Sequence, residues 1–439
     1  MKLNVKNTTL VGFAFLSICA FWQLYDVVIP LILTNTFKLD KTVSGVIMAA
    51  DNVFAVFLLP LFGALSDKCK SPLGRRKPYI FGGTLLAVLV MLTLPFVAGS
   101  YYAAPGKGTM ILFIALLGVL LFAMGTYRSR AVALMPDVTP KPLRSKGNAI
   151  INLMGAVGGA LFLLVTTFIY KTKEDEHETY LPLFIFVAAI MILAVLVLFL
   201  FVNEPKLAAQ QRAYEQAHPE EELTVTGKKG AKLPKDVKKS LLFLLLSVAF
   251  WYIGYNGVTT FFSVYVDSVW NQGVGGAGQC LLVATAGAMV SYIPIGNISG
   301  KFGRKNVIRF GALLLAGCFL IAFIYSLFFK FFNPVLYVVF ILVGIAWAAI
   351  NVNSFPMVVE MCSGSDVGKY TGLYYTFSMI AQIVTPIVAG ALMDHVAQES
   401  LFIYAAIAVG ISFLTMSLVK HGDSKPEAKK GLEAFDLED

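Results

Sequence analysis

Apolar runs of twenty or more residues recur along the whole chain, each long enough to cross a hydrocarbon core of roughly 30 Å as a helix. In lipid the backbone must satisfy its own polar groups, so such runs admit helices or closed barrels only. No stretch of about ten residues alternates with the two-residue period of a barrel strand. Helices remain. The pattern predicts twelve spans, at 9–34, 43–65, 79–98, 109–136, 147–170, 180–202, 240–267, 278–299, 306–330, 333–359, 370–393 and 400–419. Of the 439 residues 57% are hydrophobic and 14% charged, against about 25% charged in soluble domains. The expected fold class is an all-α integral membrane protein. The first run is too long and too evenly flanked for a cleaved leader, and reads as the first span.

The net charge of +9 suggests nucleic acid until its placement is read. Of the 35 Lys and Arg residues, 27 fall in the N-terminus, the even-numbered loops and the C-terminal tail, and 6 in the odd-numbered loops. This is the positive-inside pattern, with both termini cytoplasmic. The basic balance reports orientation in a bilayer, with no nucleic-acid partner expected. Cys19, Cys69, Cys280, Cys318 and Cys362 show neither metal-ligand spacing nor a disulfide framework. His177, His218, His395 and His421 fall in loops or tails. There is no GxxxxGK[ST] loop for ATP. No enzyme chemistry, cofactor or metal is expected.

The longest polar stretch, 203–239, divides the spans six and six. The expected organisation is a first six-helix half at 1–202, a cytoplasmic linker at 203–239 with a helix-permissive part from Leu207 to Ala217, a second half at 240–421 and a tail at 422–439. The halves echo each other. GALSDKCKSPLGRRKP follows span 2, with Gly63, Asp67, Gly74, Arg75 and Arg76. GNISGKFGRKNV follows span 8, with Gly296, Gly303 and Arg304. Two such halves are what a parallel-repeat transporter requires, its substrate site between them near the midplane. The loops read as gating latches, in which Asp67 and Gly74–Arg76 form charge-assisted bonds on the cytoplasmic face. Topology-setting positive charge is the plainer alternative.

Four charges lie inside the spans away from their ends: Asp26, Asp51, Arg128 and Arg130. Each costs roughly 2.5–3.5 kcal/mol at a helix centre on insertion scales, which points to a pathway through the membrane. Trp22, Tyr25 and Asp26 fall at i, i+3 and i+4 and share a face. Aromatic rings pack on the apolar faces of a pyranose while a carboxylate accepts from its hydroxyls. A carboxyl held between burial and a nearby cation can also load and release a proton. Arg128 and Arg130 lie roughly 200° apart around the helix, so both cannot face a cavity. Arg128, nearer mid-depth, reads as the partner of Asp26 or Asp51; Arg130 reads as a packing or interface residue. Asp51 reads as a second proton site, a sugar ligand or a bundle hydrogen-bonding residue.

Polar stripes add to this. Span 7 offers Tyr252, Tyr255, Asn256 and Thr259. Span 10 offers Trp347, Asn351 and Ser354. Span 11 offers Thr371, Tyr375, Ser378, Gln382 and Thr385. Span 5 offers Asn148 and Asn152. Such faces turn away from lipid; they line a polar cavity or bond helix to helix.

Three passages carry a resemblance. They are SDKCKSPLGRRKPYI (66–80), YRSRAVALMPDVTPKPLRSKGNAIINLMGAVGGAL (127–161), and NVNSFPMVVE with TGLYYTFSMIAQIVTPIVAGALMD (351–360 and 371–394). With twelve spans and a central loop, the chain resembles the major facilitator superfamily, and within it the glycoside–pentoside–hexuronide:cation symporters and the sucrose transporter group. The resemblance implies two pseudo-symmetric six-helix halves and uptake of a sugar or glycoside coupled to H⁺ or Na⁺. It also exposes departures. Where melibiose-type relatives carry further aspartates low in span 2, this chain has Ala55 and Leu59, and where they carry an aspartate in span 4 it has Arg128. A proton is therefore the better expectation.

The expectation is thus a proton-coupled sugar symporter of the cell membrane, working as a monomer. Asp26, Asp51 and Arg128 couple the proton. Trp22, Tyr25, Asp26, Arg128, Asn152, Tyr255, Asn256, Trp347, Asn351, Tyr375 and Gln382 bind substrate. The competing expectation is a proton-coupled exporter of small organic or amphipathic compounds, which favours a more apolar cavity.

Overall fold

The computed structural model describes residues 4–67, 71–139, 144–170, 179–217, 234–361 and 367–423. Among these there are helices and no strands. Twelve of the segments are long and apolar enough to cross a membrane. Span 1 is α1 (Val5–Leu31), continued by a π-helical stretch, Ile32–Thr36. Span 2 is two helices, α2 (Lys41–Met48) and α3 (Ala50–Asp67). Then come α4 (Lys77–Ala103), α5 (Lys107–Val138), α6 (Arg144–Ile169) and α7 (Leu181–Phe201). The linker opens with α8 (Glu204–Ala217), three residues earlier than the helix-permissive stretch began. The second half holds α9 (Lys235–Ser268), α10 (Gly273–Phe302), α11 (Arg304–Phe328), α12 (Leu336–Glu360), α13 (Val367–His395) and α14 (Ser400–Ser417). Cys69, Cys362, His177, His218 and most of the linker and tail lie outside the described residues.

The expected spans are all present, with two local departures. Span 2 is interrupted at Ala49. Span 1 ends in the wider π turn, where Phe37 N–H reaches the Ile32 carbonyl, five residues back instead of four. Pro30 precedes that turn and has no N–H to give, so the Asp26 carbonyl lacks its helical donor.

Both faces of the bundle follow from lipid physics. Leu, Ile, Phe and Val side chains such as Phe57, Leu89, Phe96, Ile111, Leu200 and Val290 are exposed, as a lipid-facing surface requires. Small residues sit where backbones meet. A Cβ on Gly158 would fall 2.0 Å from the Leu16 carbonyl oxygen of α1, and one on Gly344 1.9 Å from the Ala284 oxygen of α10. These are the close approaches that membrane helix pairs make through small residues.

The two halves meet along three seams at one end of the bundle. Asn35, after α1, donates to the Asp267 carboxylate of α9 at 2.7 Å. α2 lies against α13 backbone to backbone: Gly45 faces the Pro386 carbonyl and Gly390 faces the Lys41 carbonyl, each leaving no room for a Cβ. Gly275 of α10 meets the Tyr170 carbonyl beyond α6 in the same way. The second seam is clamped by Asp394. Its carboxylate accepts from Lys41 N–H (3.1 Å), Thr42 N–H (2.7 Å) and Thr42 Oγ1–H (2.7 Å), so an anion caps the N-terminus of α2.

The opposite end carries the basic loops. Gly74 has φ +110° and Gly303 φ +87°, the left-handed region that glycine tolerates. The Glu204 carboxylate accepts the backbone N–H groups of Arg75, Arg76 and Lys77 (2.6–3.2 Å) at the start of α4. Asp423 does the equivalent for Lys305 N–H (2.9 Å) at the start of α11. Arg76 Nε pairs with Asp137 at 2.7 Å, and Arg304 with Glu360 at 2.7 Å. The expected latch between Asp67 and Gly74–Arg76 involves the Asp67 side chain, which lies outside the described residues. Among the described residues the acidic partners of this loop are Asp137, in the same half, and Glu204, at the head of the linker helix, so these bonds tie the linker to the first half. Gly63 and Asp67 lie in α3, their side chains outside the described ones; Gly296 has open space on its Cβ side.

Candidate functional site

The first side of the site is built by α1. The helical spacing brings the Trp22 and Tyr25 rings edge to face with centroids 5.5 Å apart, and Phe21 stands at 5.2 Å from Trp22. Tyr25 is 2% exposed, and its hydroxyl donates to the Met48 carbonyl of α2 at 3.2 Å. Asp26 is half-buried. Among the described residues neither its carboxylate nor the Trp22 indole N–H has a hydrogen-bond partner in the protein.

Span 2 places Asp51 close enough to interact electrostatically with Asp26 and with Arg128 of α5. The Arg128 guanidinium lies over the Trp22 ring at 5.8 Å, in cation–π range. No ion pair within 4 Å joins Arg128 to either carboxylate among the described residues. The three charges form a loose cluster around an aromatic face. Arg130, two residues on, is fully buried with its guanidinium over Tyr79 at 5.2 Å. Helical rotation thus sends the neighbouring arginines to different surroundings, and only Arg128 joins the carboxylates.

The second half supplies its own platform. Tyr255 of α9 and Trp347 of α12 stack face to face, centroids 3.7 Å apart and planes 6° off parallel, and Tyr252 closes on Trp347 edge-on at 5.6 Å. Tyr255 also interacts electrostatically with Asp26 across the divide between halves. The helices that carry the two aromatic groups, α1 and α9, are in contact. Asn152, Asn256, Asn351 and Gln382 are half-buried, as residues at a cavity wall would be. The Gln382 amide bonds back to Ser378 of its own helix at 3.3 Å. Tyr375 joins a separate group with Tyr374 (5.5 Å) and Phe355 (6.3 Å), where Tyr374 and Ser354 hydroxyls meet at 3.0 Å.

Some participants carried no sequence signal. Asn52 holds Asp51 with two bonds, and its only mark was being next to a buried aspartate. The Met48 carbonyl acts through backbone geometry. Ser17 and Tyr127, whose hydroxyls meet at 2.5 Å between α1 and α5, look like ordinary core residues in the sequence.

Comparison with known proteins agrees with this architecture. The model of the Major Facilitator Superfamily matches residues 11–329 and 270–437. The sucrose transport protein SUC3 of Arabidopsis thaliana is 28% identical over 139 residues, 29% of this chain and 23% of that protein. The chain's match thus spans about a quarter of that relative's length. An uncharacterized MFS-type transporter of Methanocaldococcus jannaschii is 23% identical over 433 residues, 94% of this chain and 95% of that protein. Among solved structures, the inward-open xylose transporter XylE from E. coli superposes with a TM-score of 0.71 at 14% identity, covering 97% of this chain and 98% of that one. The nucleoside transporter NupG superposes with a TM-score of 0.67 at 16% identity, covering 95% and 100%. The fold is shared at identities too low to carry substrate with it. With twelve spans, two braced halves and a family match over almost its whole length, this chain belongs to the Major Facilitator Superfamily.

Proposed function

We propose that this transporter imports a sugar or glycoside by proton symport through alternating access, as a monomer in the cell membrane with both termini cytoplasmic. The observation that carries the reading is the pairing of two aromatic platforms, Trp22/Tyr25 and Tyr255/Trp347, around Asp26, with Asp51 and Arg128 beside them. Aromatic faces suit the C–H faces of a sugar ring. The unpartnered Asp26 carboxylate and Trp22 N–H, with the half-buried amides of Asn152, Asn256, Asn351 and Gln382, suit its hydroxyls. The sucrose and xylose transporters among the similar proteins point the same way.

In this reading residues 1–202 and 240–421 rock against each other about the site, tied by the 203–239 linker. The positive-inside pattern puts the Asp394 seams outside, so in this reading the closed end is the outer one. Asp26, with Asp51, takes a proton from outside, and Arg128 compensates the carboxylate charge during the return. The membrane potential adds about 2.3 kcal/mol per charge per 100 mV.

Proteoliposomes loaded under imposed pH or sodium gradients, with a panel of mono- and disaccharides outside, test the reading. Acid-driven accumulation of one sugar class is expected. Sodium-driven accumulation would replace the coupling ion. No uptake of any sugar, with acid-driven efflux of an amphipathic dye, would replace the function by export.

A further inference from the structure

The span that carries Asp51 is not one helix. α2 ends at Met48, Ala49 lies in a turn, and α3 restarts at Ala50. In an unbroken helix the Asn52 N–H would donate to the Met48 carbonyl, four residues back. Instead it donates to Asp51 Oδ1 at 2.6 Å, and the Asn52 side-chain amide donates to the same oxygen at 2.7 Å. The Met48 carbonyl accepts from the Tyr25 hydroxyl of α1 at 3.2 Å. The interruption is local. Ala49 keeps helical angles (φ −68°, ψ −15°), and the bonds from Ala49 N–H to the Gly45 carbonyl and from Val53 N–H to the Ala49 carbonyl flank it at 2.9 and 3.2 Å. What needs a cause is the displaced Asn52 donor. Causes of such ladder defects include proline, a Gly/Ser pair, a π-bulge or a side chain entering the ladder. Within 41–67 the sole proline is Pro60, well past the break. Ser44–Gly45 lies one turn earlier, where the Gly45 carbonyl still accepts from Ala49 N–H. At the displaced donor itself the geometry shows a side chain entering the ladder, and that side chain is Asp51.

The exchange links two functional parts. Asp51 sits in the charge cluster. Tyr25 sits against Trp22 at 5.5 Å, and the Arg128 guanidinium lies over that Trp22 ring. One displaced backbone bond therefore connects a titratable group to the aromatic platform. An ionised carboxylate accepts more strongly than a neutral carbonyl. A protonated carboxyl loses that advantage and gains an O–H of its own to donate.

We infer that Asp51 is a proton-operated helix switch: ionised, it captures the Asn52 N–H and holds span 2 interrupted at Ala49; protonated, it returns that N–H to the Met48 carbonyl, where it competes with the Tyr25 hydroxyl and loosens that bond in favour of substrate. The switch deepens the proposed symport and rests on a proton as coupling ion. It makes Asp51, Asn52 and Tyr25 positioning residues and gives the proton a route to the sugar platform without long-range motion. Several ionisable groups face it. α5 contributes Arg128, and α1 contributes Asp26 and Tyr25. Tyr255 of α9 acts on Asp26. α13, which also touches α3, carries Lys369, Tyr370, Tyr374 and Tyr375, with Asp394 engaged at the far end on α2. Changing Arg128 or Asp26 moves the pH at which the switch turns.

The chain offers two single-site probes. Met48–Ala49 is its only Met–Ala pair and Asp51–Asn52 its only Asp–Asn pair. Carbonyl-¹³C methionine with ¹⁵N alanine, and carbonyl-¹³C aspartate with ¹⁵N asparagine, each isolate one peptide unit by NMR in the full-length protein in nanodiscs. The Asn52 amide and the Met48 carbonyl signals are expected to step together with one midpoint as pH is varied. In Asp51→Asn the Met48 signal should be pH-independent, and in Asp26→Asn both should still titrate at a moved midpoint. The wild-type measurement stands even where Asp51→Asn fails to fold. A flat response in wild type, or a Met48 signal that still titrates in Asp51→Asn, overturns the switch. If acid-driven uptake persists alongside a flat response, symport stands and the switch falls. Co-titrating signals without acid-driven uptake keep the switch and overturn the symport.

Discussion

Among the described residues the Trp22 indole N–H is buried without a hydrogen-bond partner, which costs about 1–3 kcal/mol, and the half-buried Asp26 stands one turn from it. A site that binds and releases a polar cargo must hold such groups in reserve. Asp26→Asn removes the ionisable oxygen and keeps the shape. Acid-driven accumulation should be lost in proteoliposomes, while counterflow exchange of sugar continues; undiminished accumulation would remove Asp26 from coupling. Trp347→Ala removes the ring that Tyr255 stacks on at 3.7 Å. An aromatic pair contributes about 0.5–1.5 kcal/mol beyond its area, so the sugar's apparent Kd should rise about three- to tenfold in a binding titration. Arg128→Lys keeps charge but not the planar fork that lies over Trp22, and should lower transport rate more than surface expression. The pair Arg128 and Arg130 shows how far helical rotation alone can go. It separated the two correctly into different environments. It did not foresee that Arg128 stays beyond ion-pair distance of both carboxylates, since side-chain reach across helices depends on where three spans pack.

Among the helices, α2 and α13 are the pair to watch. Asp394 caps α2 from α13 only while the two are in contact. Losing an N-cap costs about 1 kcal/mol, about a fivefold change in an equilibrium. Asp394→Ala should therefore shift the population toward the state open at this end, seen as longer distances between spin labels placed near Lys41 and Asp394. Gly390→Val is more severe, because a Cβ there would lie 2.3 Å from the Lys41 oxygen. It should hold the seam apart and abolish transport while leaving the protein folded. At the other end Gly74→Ala puts a Cβ at φ +110° and 2.3 Å from the Glu204 carboxyl carbon. A strained backbone of this kind costs about 1–3 kcal/mol, so thermal stability in detergent should fall.

Across the whole molecule, twelve spans were legible because hydrophobic length is a local property that each segment carries by itself. So was the division into halves, since the two Gly-Arg-basic loops repeat in the chain. The interruption at Ala49 was not legible, because it coincides with contacts made only on packing: a half-buried carboxylate holds the Asn52 backbone donor while a tyrosine from another span donates to the Met48 carbonyl. Glu204, Asp137, Glu360 and Asp423 were missed as partners of the basic loops for a related reason. They lie about 60 to 130 residues away, and only packing brings them to Arg76, Arg304 and the helix starts. The chain alone thus dictated membrane class, span number and which charges are too costly to be incidental, because lipid prices each residue by its own chemistry. Which charges act on one another, where a helix breaks and which end of the bundle is shut were decided by assembly, because those energies belong to pairs of groups that meet only once the helices pack.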